Sequence, residues 1–324
     1  MAKLQPSVMT LTFKPGDATE SYFDISMAAS LVNRRFYRQG LNWAVAGMTV
    51  QARTSAVQTG GIRTEILPNT WVTSNAWHKS FAMWRKQQRE AIDEAGAESA
   101  QAKFADFKIF MDNAQVNAFY TNGGSSIVSN MNLILEAPVD GGYVDYLPGE
   151  WEASQIVVPN LIPDASGSEV DPYEYYLHMV GSNAGSPAGR SRGIIDGYAN
   201  SRSYPQSPDP VSTGISTPAN WMQQMFDVGN DNEEVLANVV DKNDNLPYDQ
   251  VEYPGGEGNA ANLQIHSQHY LTANSLGNRI EIRGTNVPCG LIKLSNDTGA
   301  DCEFQIHLVP GKHRGYLAEP MQDM

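Results

Sequence analysis

Residues 60–89, GGIRTEILPNTWVTSNAWHKSFAMWRKQQR, contain the change of pattern that decides the fold. A strand-like run ends at Pro68, and a basic, tryptophan-rich amphipathic helix is predicted after it, with Ser74 or Asn75 as its N-cap. Apolar or long side chains recur at helical spacing at Trp77, Phe81, Trp84 and Gln88. Since strand-like runs dominate the rest of the chain, this helix is predicted to be inserted into a β-protein.

Period-two alternation, which is typical of strands with one buried face, recurs along the chain. It appears at 11–14, 43–53, 278–284 and 302–311, and apolar runs occur at 127–136 and 154–163. Further helical stretches are predicted at 90–107 and 218–228. Strands near both ends, with the helix and loops between them, predict an all-β fold: an antiparallel two-sheet jelly-roll sandwich with long inserted loops and one or two short helices.

One elaborated domain over residues 1–324 is the predicted organisation, because β-sandwiches with insertions often exceed 200 residues. Hydrophobic residues make up 41% of the chain, which is enough to fill a core. Residues 165–260 are rich in Gly, Ser, Pro, Asn and Asp, and they are predicted to be long loop insertions. The N-terminus alternates like a strand rather than a signal peptide, and no apolar run suits a spanning helix, so no membrane partner is expected.

The charge of −14 is distributed unevenly, with +4 over residues 1–108 and −18 over residues 109–324. Because the Debye length at physiological salt is about 8 Å, one face of a folded domain can act independently of another. The N-terminal third would then face a polyanion while the remainder faces water. Unevenly charged solvated faces explain the same numbers equally well.

Two blocks of the chain, residues 60–89 and HLVPGKHRGYLAEPM (307–321), resemble capsid proteins of small circular Rep-encoding single-stranded DNA viruses. The resemblance implies a jelly-roll capsid domain that assembles with itself into an icosahedral shell around a circular single-stranded DNA genome. It also implies a virion protein that is assembled inside the host cell, meets an unidentified host receptor, and is not an enzyme and has no cofactor. Whether the packaged polyanion is DNA or RNA stays open.

Many such capsid proteins resemble one another in an arginine-rich N-terminal arm, whereas residues 1–30 here hold only Lys3 and Lys14 as basic residues. Two other segments interleave cations with aromatic side chains, a combination that suits single-stranded DNA. The nucleic-acid-binding residues predicted from them are Arg34, Arg35, Arg38, Lys79, Arg85, Lys86 and Arg89. Their alternatives are subunit contacts for the arginines and a core position for the tryptophans between them.

A calcium site is the second prediction, because DKNDNLPYDQVE resembles a twelve-residue calcium loop. Its oxygen ligands would be Asp241, Asn243, Asn245, Asp249 and Glu252. Leu246 stands where such loops need glycine, so an ordinary Asx-rich turn is the alternative. Structural calcium would bind where acidic loops meet at subunit contacts.

Catalytic motifs are missing from the sequence: there is no nucleophile elbow, zinc-protease motif or phosphate loop. Glu150 and Glu152 have the spacing of two carboxylates on one strand face, but surface charge explains them as well. Cys289 and Cys302 are predicted to be buried free thiols. Two alternatives to a capsid protein remain: a β-sandwich carbohydrate-binding protein or glycoside hydrolase, and a non-icosahedral phage structural protein.

Overall fold

A computed structural model describes most of the chain. The described residues are 7–16, 18–52, 59–96, 106–121, 133–139, 142–146, 151–158, 173–183, 191–203, 263–272 and 279–324. The chain divides into two compact units. Unit 1 contains Met1–Asn69, Thr121–Glu152 and Leu263–Met324, and unit 2 contains Thr70–Tyr120 and Ala153–Asn262. Unit 2 is therefore inserted into unit 1 at two points of the sequence.

Unit 1 is built from antiparallel strands. Its strands are β1 Thr10–Gly16, β2 Glu20–Asp24, β3 Leu41–Ala52, β4 Gly60–Ile66, β6 Leu133–Val139, β7 Gly142–Tyr146, β11 Gln264–Leu271, β12 Arg279–Val287, β13 Leu291–Asn296, β14 Cys302–Leu308, β15 Pro310–Gly311, β16 Gly315–Tyr316 and β17 Ala318–Pro320. One sheet has the order β12-β3-β14-β1-β6-β7, with β17 also paired to β3, and the other has the order β11-β4-β13-β2. Strands β15 and β16 form a separate hairpin.

Four antiparallel pairs are nested within these two sheets: β1 with β14, β2 with β13, β3 with β12, and β4 with β11. The outermost pair aligns Thr10 with His307, and the innermost aligns Gly60 with Leu271. Strand β14 also pairs with β3, and β13 also pairs with β4. Strands β1 to β4 therefore run beside β14 to β11 in reverse order, and unit 2 lies between the two groups in sequence.

The core of unit 1 lies between the two sheets, because the inward side of each strand is apolar. Phe13 and Phe304 belong to one sheet and Phe23 to the other, and all three side chains have no exposed surface. Their ring centroids lie 4.9 Å apart between Phe13 and Phe23, and 4.8 Å apart between Phe23 and Phe304. Burying one such side chain stabilises a fold by roughly 1.5–3 kcal/mol, so this aromatic contact is a main link between the sheets.

Helix α1 (Ile25–Asn33) follows β2 without a loop, because Asp24 ends the strand and caps the helix. Its Oδ1 accepts hydrogen bonds from the backbone N–H groups of Ser26 (2.8 Å) and Met27 (3.1 Å). Its Oδ2 accepts a bond from the side-chain amide of Gln39 at 3.0 Å. The buried carboxylate therefore accepts from two N–H groups that have no partner within the helix. It also links the start of α1 to the chain that leads into β3.

Unit 2 combines helices with a small mixed sheet. Its elements are α2 Trp71–Glu94, β5 Phe110–Asp112, α3 Asn113–Thr121, β8 Gln155–Val158, β9 Tyr173–Val180, β10 Ser191–Gly193 and α4 Ile194–Ser203. The sheet has the order β10-β9-β5, with β8 also paired to β9. Strands β5 and β10 run parallel to β9, whereas β8 runs antiparallel to it. Helices α3 and α4 begin directly after β5 and β10.

The prediction of a mainly β fold with several antiparallel sheets is confirmed. The expectation of one or two short helices is wrong, because the described residues hold four α-helices and α2 alone has 24 residues. The expectation of antiparallel sheets only is also wrong for unit 2, since β5 and β10 both run parallel to β9. The range 165–260, predicted as inserted loops, contains β9, β10 and α4, where apolar residues such as Leu177 and Ile194 are buried.

The start of α2 differs from the sequence prediction. Thr70, rather than Ser74 or Asn75, is the N-cap, and its Oγ1 accepts a bond from the N–H of Thr73 at 3.5 Å. Pro68 lies two residues before this cap, so the proline precedes the helix and does not interrupt its hydrogen bonds. In the described part of the chain, no helix has the length and apolar character that crossing a membrane requires.

Candidate nucleic-acid interface

The loop after α1 carries Arg34, Arg35 and Arg38, three of the predicted cations. Arg34 ends the helix in a left-handed conformation (φ 53°), and its N–H donates to the carbonyl of Ser30. The Oγ of Ser30 accepts a bond from the N–H of Tyr37 at 2.9 Å. Arg34 and Arg38 are exposed and Arg35 is half-buried. The loop therefore presents its cations from a hydrogen-bonded backbone.

Tyr37 anchors this loop in the core of unit 1. Its ring lies 5.8 Å from that of Trp43 and 5.4 Å from that of Tyr316, between centroids, and all three residues are fully buried. The Tyr316 hydroxyl donates to the carbonyl of Val8 (2.6 Å) and accepts from the amide of Asn33 (2.7 Å). Burial raises the pKa of Tyr316, so it remains a neutral donor. The packing of Tyr37 against Trp43 and Tyr316 therefore fixes the position of the loop.

The hairpin of β15 and β16 brings two further cations, Lys312 and Arg314, to the same place. The hydroxyl of Tyr37 donates to the carbonyl of Arg314 at 2.9 Å, and Nη1 of Arg314 donates to the carbonyl of Phe36. Lys312 and Arg314 are exposed. Sequence reasoning did not assign them, although both lie in the 307–321 block that carries the resemblance. Their neighbours in the loop are 277 residues earlier in the chain, so only the fold brings them together.

The four predicted cations of α2 belong to unit 2. Lys79 is engaged within that unit, since its Nζ donates to the Ser201 hydroxyl at 2.6 Å and lies 5.8 Å from the ring centre of Tyr198. Lys86 lies 3.7 Å from Glu90, one turn further along the helix. The exposed cations are Arg85, Lys86 and Arg89. The seven predicted residues thus form two sets, one on each unit.

The tryptophans of α2 pack inside unit 2. Trp77 is buried and stacks on Phe81, with 5.1 Å between ring centroids. Trp84 is half-buried, 5.5 Å from the ring of Phe107. The core interpretation of Trp77 is confirmed, and Trp84 packs at the edge of the same aromatic group.

The predicted calcium ligands, Asp241, Asn243, Asn245, Asp249 and Glu252, lie outside the described residues. Within the described ranges, no three or more His, Cys, Asp or Glu side chains are grouped so as to hold a metal ion. The calcium loop therefore stays a prediction.

Buried titratable groups are present in both units. In unit 2, His178 is fully buried, and burial lowers its pKa to about 4. In unit 1, Cys289 and Cys302 are buried free thiols, as predicted. Burial raises the pKa of both thiols, to about 11 for Cys302. Both are protonated and unreactive at neutral pH.

No family model, curated protein or solved structure matches this chain.

Proposed function

We propose that this chain is a viral capsid protein that assembles with itself into a closed icosahedral shell around a small circular single-stranded DNA genome. The observation that carries the proposal is the nested pairing in unit 1, where β1 to β4 lie antiparallel to β14 to β11. Such a ribbon of eight strands, rolled into two facing four-stranded sets, is the arrangement expected of a jelly roll and supports that fold for unit 1. Viral capsid proteins are one of the main groups built on that architecture.

The charge of the described surface supports the same proposal. The loop and hairpin of unit 1 expose Arg34, Arg38, Lys312 and Arg314, although the whole chain carries a charge of −14. A shell subunit needs this asymmetry, since its genome side must attract phosphates while its outer side stays soluble. The shell would be a virion component made inside the host cell.

Strand β11 supplies a surface for contact with a second copy of the chain. It is an edge strand of its sheet, and its Ile265 and Tyr270 side chains are 52% and 71% exposed. An edge strand with exposed apolar side chains is a typical place for another chain to bind. In a closed shell, neighbouring subunits would cover this edge. Calcium bound to the 241–252 loop would add a further link between subunits.

Electron microscopy of the full recombinant chain, after nuclease treatment, tests the proposal. Uniform round particles that retain absorbance at 260 nm are expected. Replacement of Ile265 and Tyr270 by Glu is expected to abolish the particles and leave a folded subunit. The matched control replaces Gln264 and Gln268, exposed polar residues on the same strand, by Glu. A chain that stays monomeric across pH, salt and added calcium would contradict the capsid proposal.

Carbohydrate binding is the second candidate, because jelly-roll sandwiches also form lectins. Glu152 is exposed, beside the half-buried ring of Trp151, as a sugar-binding surface would require. A monomer that binds an oligosaccharide array, and loses that binding on replacement of Trp151 by Leu, would favour this function over the capsid.

A further inference from the structure

We infer that the loop after α1 and the hairpin of β15 and β16 together form one binding site for single-stranded nucleic acid. The site, here called the arginine corner, consists of Arg34, Arg35, Arg38, Lys312 and Arg314. The choice of nucleic acid as ligand rests on the proposed function. The position of the site and its aromatic surface are derived from the structure and not from that function.

The charge of the arginine corner is concentrated and of one sign. Residues 34–38 and 310–316 contain five Lys or Arg and no Asp or Glu. Among the described residues, no ion pair involves Arg38 or Lys312. Glu152, next to Trp151, is an exposed carboxylate close to the site, and the five cations outnumber it. The corner therefore keeps a positive field that a chain of phosphates would neutralise.

The backbone of the corner is held in a strained form. Arg34 and Arg314 have φ values of 53° and 49°, two of the three positive values among described non-glycine residues. A side chain in this left-handed region costs about 1–3 kcal/mol and persists only where the surroundings impose it. The surroundings here are the Tyr37 hydroxyl bond to Arg314 and the Arg314 bond to Phe36. These two bonds hold Arg314, whereas Arg34 takes its conformation as the C-cap of α1. Backbone strain of this kind clusters at ligand-binding sites.

An aromatic pair adjoins the cations and is expected to give the site a preference for single-stranded over duplex nucleic acid. Phe36 lies within the loop, and its ring is 6.3 Å from that of Trp151, between centroids. Both residues are half-buried, so each keeps some exposed surface. Bases of a single strand can stack on such rings while arginines follow the phosphates, whereas the bases of a duplex are already stacked on each other. The arginine corner is therefore expected to bind single strands more tightly than duplexes.

Fluorescence anisotropy with labelled oligo(dT), oligo(U) and a DNA duplex tests the inference over a range of salt concentrations. Replacement of both Arg38 and Lys312 by Ala should reduce the salt dependence of single-strand binding by about 1.4, since each contact contributes about 0.7 to the slope of log K against log salt. The matched control, Arg279 and Arg283 to Ala, removes the same charge from exposed positions on β12 and should change the slope little. Circular dichroism verifies that both variants fold.

The aromatic surface has its own test. Trp151→Leu keeps an apolar side chain and should weaken single-strand binding by about 5- to 150-fold, the value of one stacked base. It should leave heparin binding unchanged, because heparin has no bases. Equal slopes for the two double variants would overturn the arginine corner. Equal affinity for duplex and single strand, unchanged in Trp151→Leu, would overturn the stacking role. Neither result depends on whether particles form, so the capsid proposal fails or survives separately.

Discussion

Acidification from pH 6.5 to pH 4 is expected to destabilise unit 2 through His178. This residue lies on β9, in register with Phe110 on β5 and Gly193 on β10, and it has no exposed surface. Burial is the main cause that lowers its pKa to about 4, with a smaller contribution of the same sign from Arg192. The folded state therefore holds a mainly neutral imidazole at pH values above about 4.

The sign and size of this change in stability follow from the protonation of His178 in the folded and the unfolded chain. Between pH 6.5 and about 4 the unfolded chain binds a proton at His178 that the folded chain does not, so stability falls as pH falls through this window. The contribution is complete above pH 6.5 and lost near pH 4. The difference between the two pKa values corresponds to about 3 kcal/mol, at about 1.4 kcal/mol for each pKa unit.

Amide hydrogen exchange of residues 177–180 measures this effect within unit 2. Once corrected for intrinsic exchange, protection in the wild type should fall about 80-fold more between pH 6.5 and 4 than in His178→Gln, because each end of this range coincides with one of the two pKa values. His78→Gln, at an exposed position on α2, is the matched control and should behave like the wild type. The carboxylates affect all three proteins equally, so the difference isolates one imidazole.

Equal pH dependence in wild type and His178→Gln would refute the argument. If the variant does not fold, proton NMR of the wild-type histidines provides a second test. A directly titrated pKa near 6.5 for His178 would then refute the role given to burial.

Three further substitutions probe the described packing, with urea unfolding as the measurement. Phe304→Ala should cost about 3–5 kcal/mol, because it empties a fully buried position between the sheets. Gly193→Ala should destabilise unit 2 by about 1–3 kcal/mol, since a Cβ there would lie 2.4 Å from the carbonyl oxygen of Gly181, whereas Gly61→Ala meets only ordinary contacts. Asp24→Ala should cost about 2 kcal/mol or more, because three buried donors lose their acceptor. If the free energy of unfolding falls by less than about 0.5 kcal/mol in Phe304→Ala, Gly193→Ala or Asp24→Ala, the contact named for that substitution is contradicted.

The strands that the sequence predicted are those with one face in the core. Strand β14 alternates between buried and half-exposed positions, and the period-two pattern therefore revealed it. Strand β13 is buried at every position, so it has no alternation to detect. Strand β11 also lacks the alternating pattern, because most of its side chains are exposed or half-exposed. Helix α1 was missed because it has only nine, mostly apolar residues and follows β2 without a break, and a short apolar run does not distinguish a helix from a strand.

The candidate interface was predictable only where it is local. Arg34, Arg35 and Arg38 stand together in sequence, and a basic aromatic run identified them. Lys312 and Arg314 join them through contacts between distant segments, which no local pattern encodes. Lys79 was predicted from the sequence to bind nucleic acid. In the structure its Nζ donates a hydrogen bond to the Ser201 hydroxyl within unit 2, a contact that no local pattern predicts.

The nested strand order also governs when the molecule can fold. Strand β1 pairs with β14, and the bond between Thr10 and His307 joins positions 297 residues apart. At about 5–20 residues per second, β14 leaves the ribosome some 15–60 s after β1. Unit 2 is synthesised within this interval, whereas the first strand must wait for its partner. The sheet that contains β1 and β14 therefore closes only after β14 has been synthesised, and the edge of β1 is exposed to other nascent chains until then.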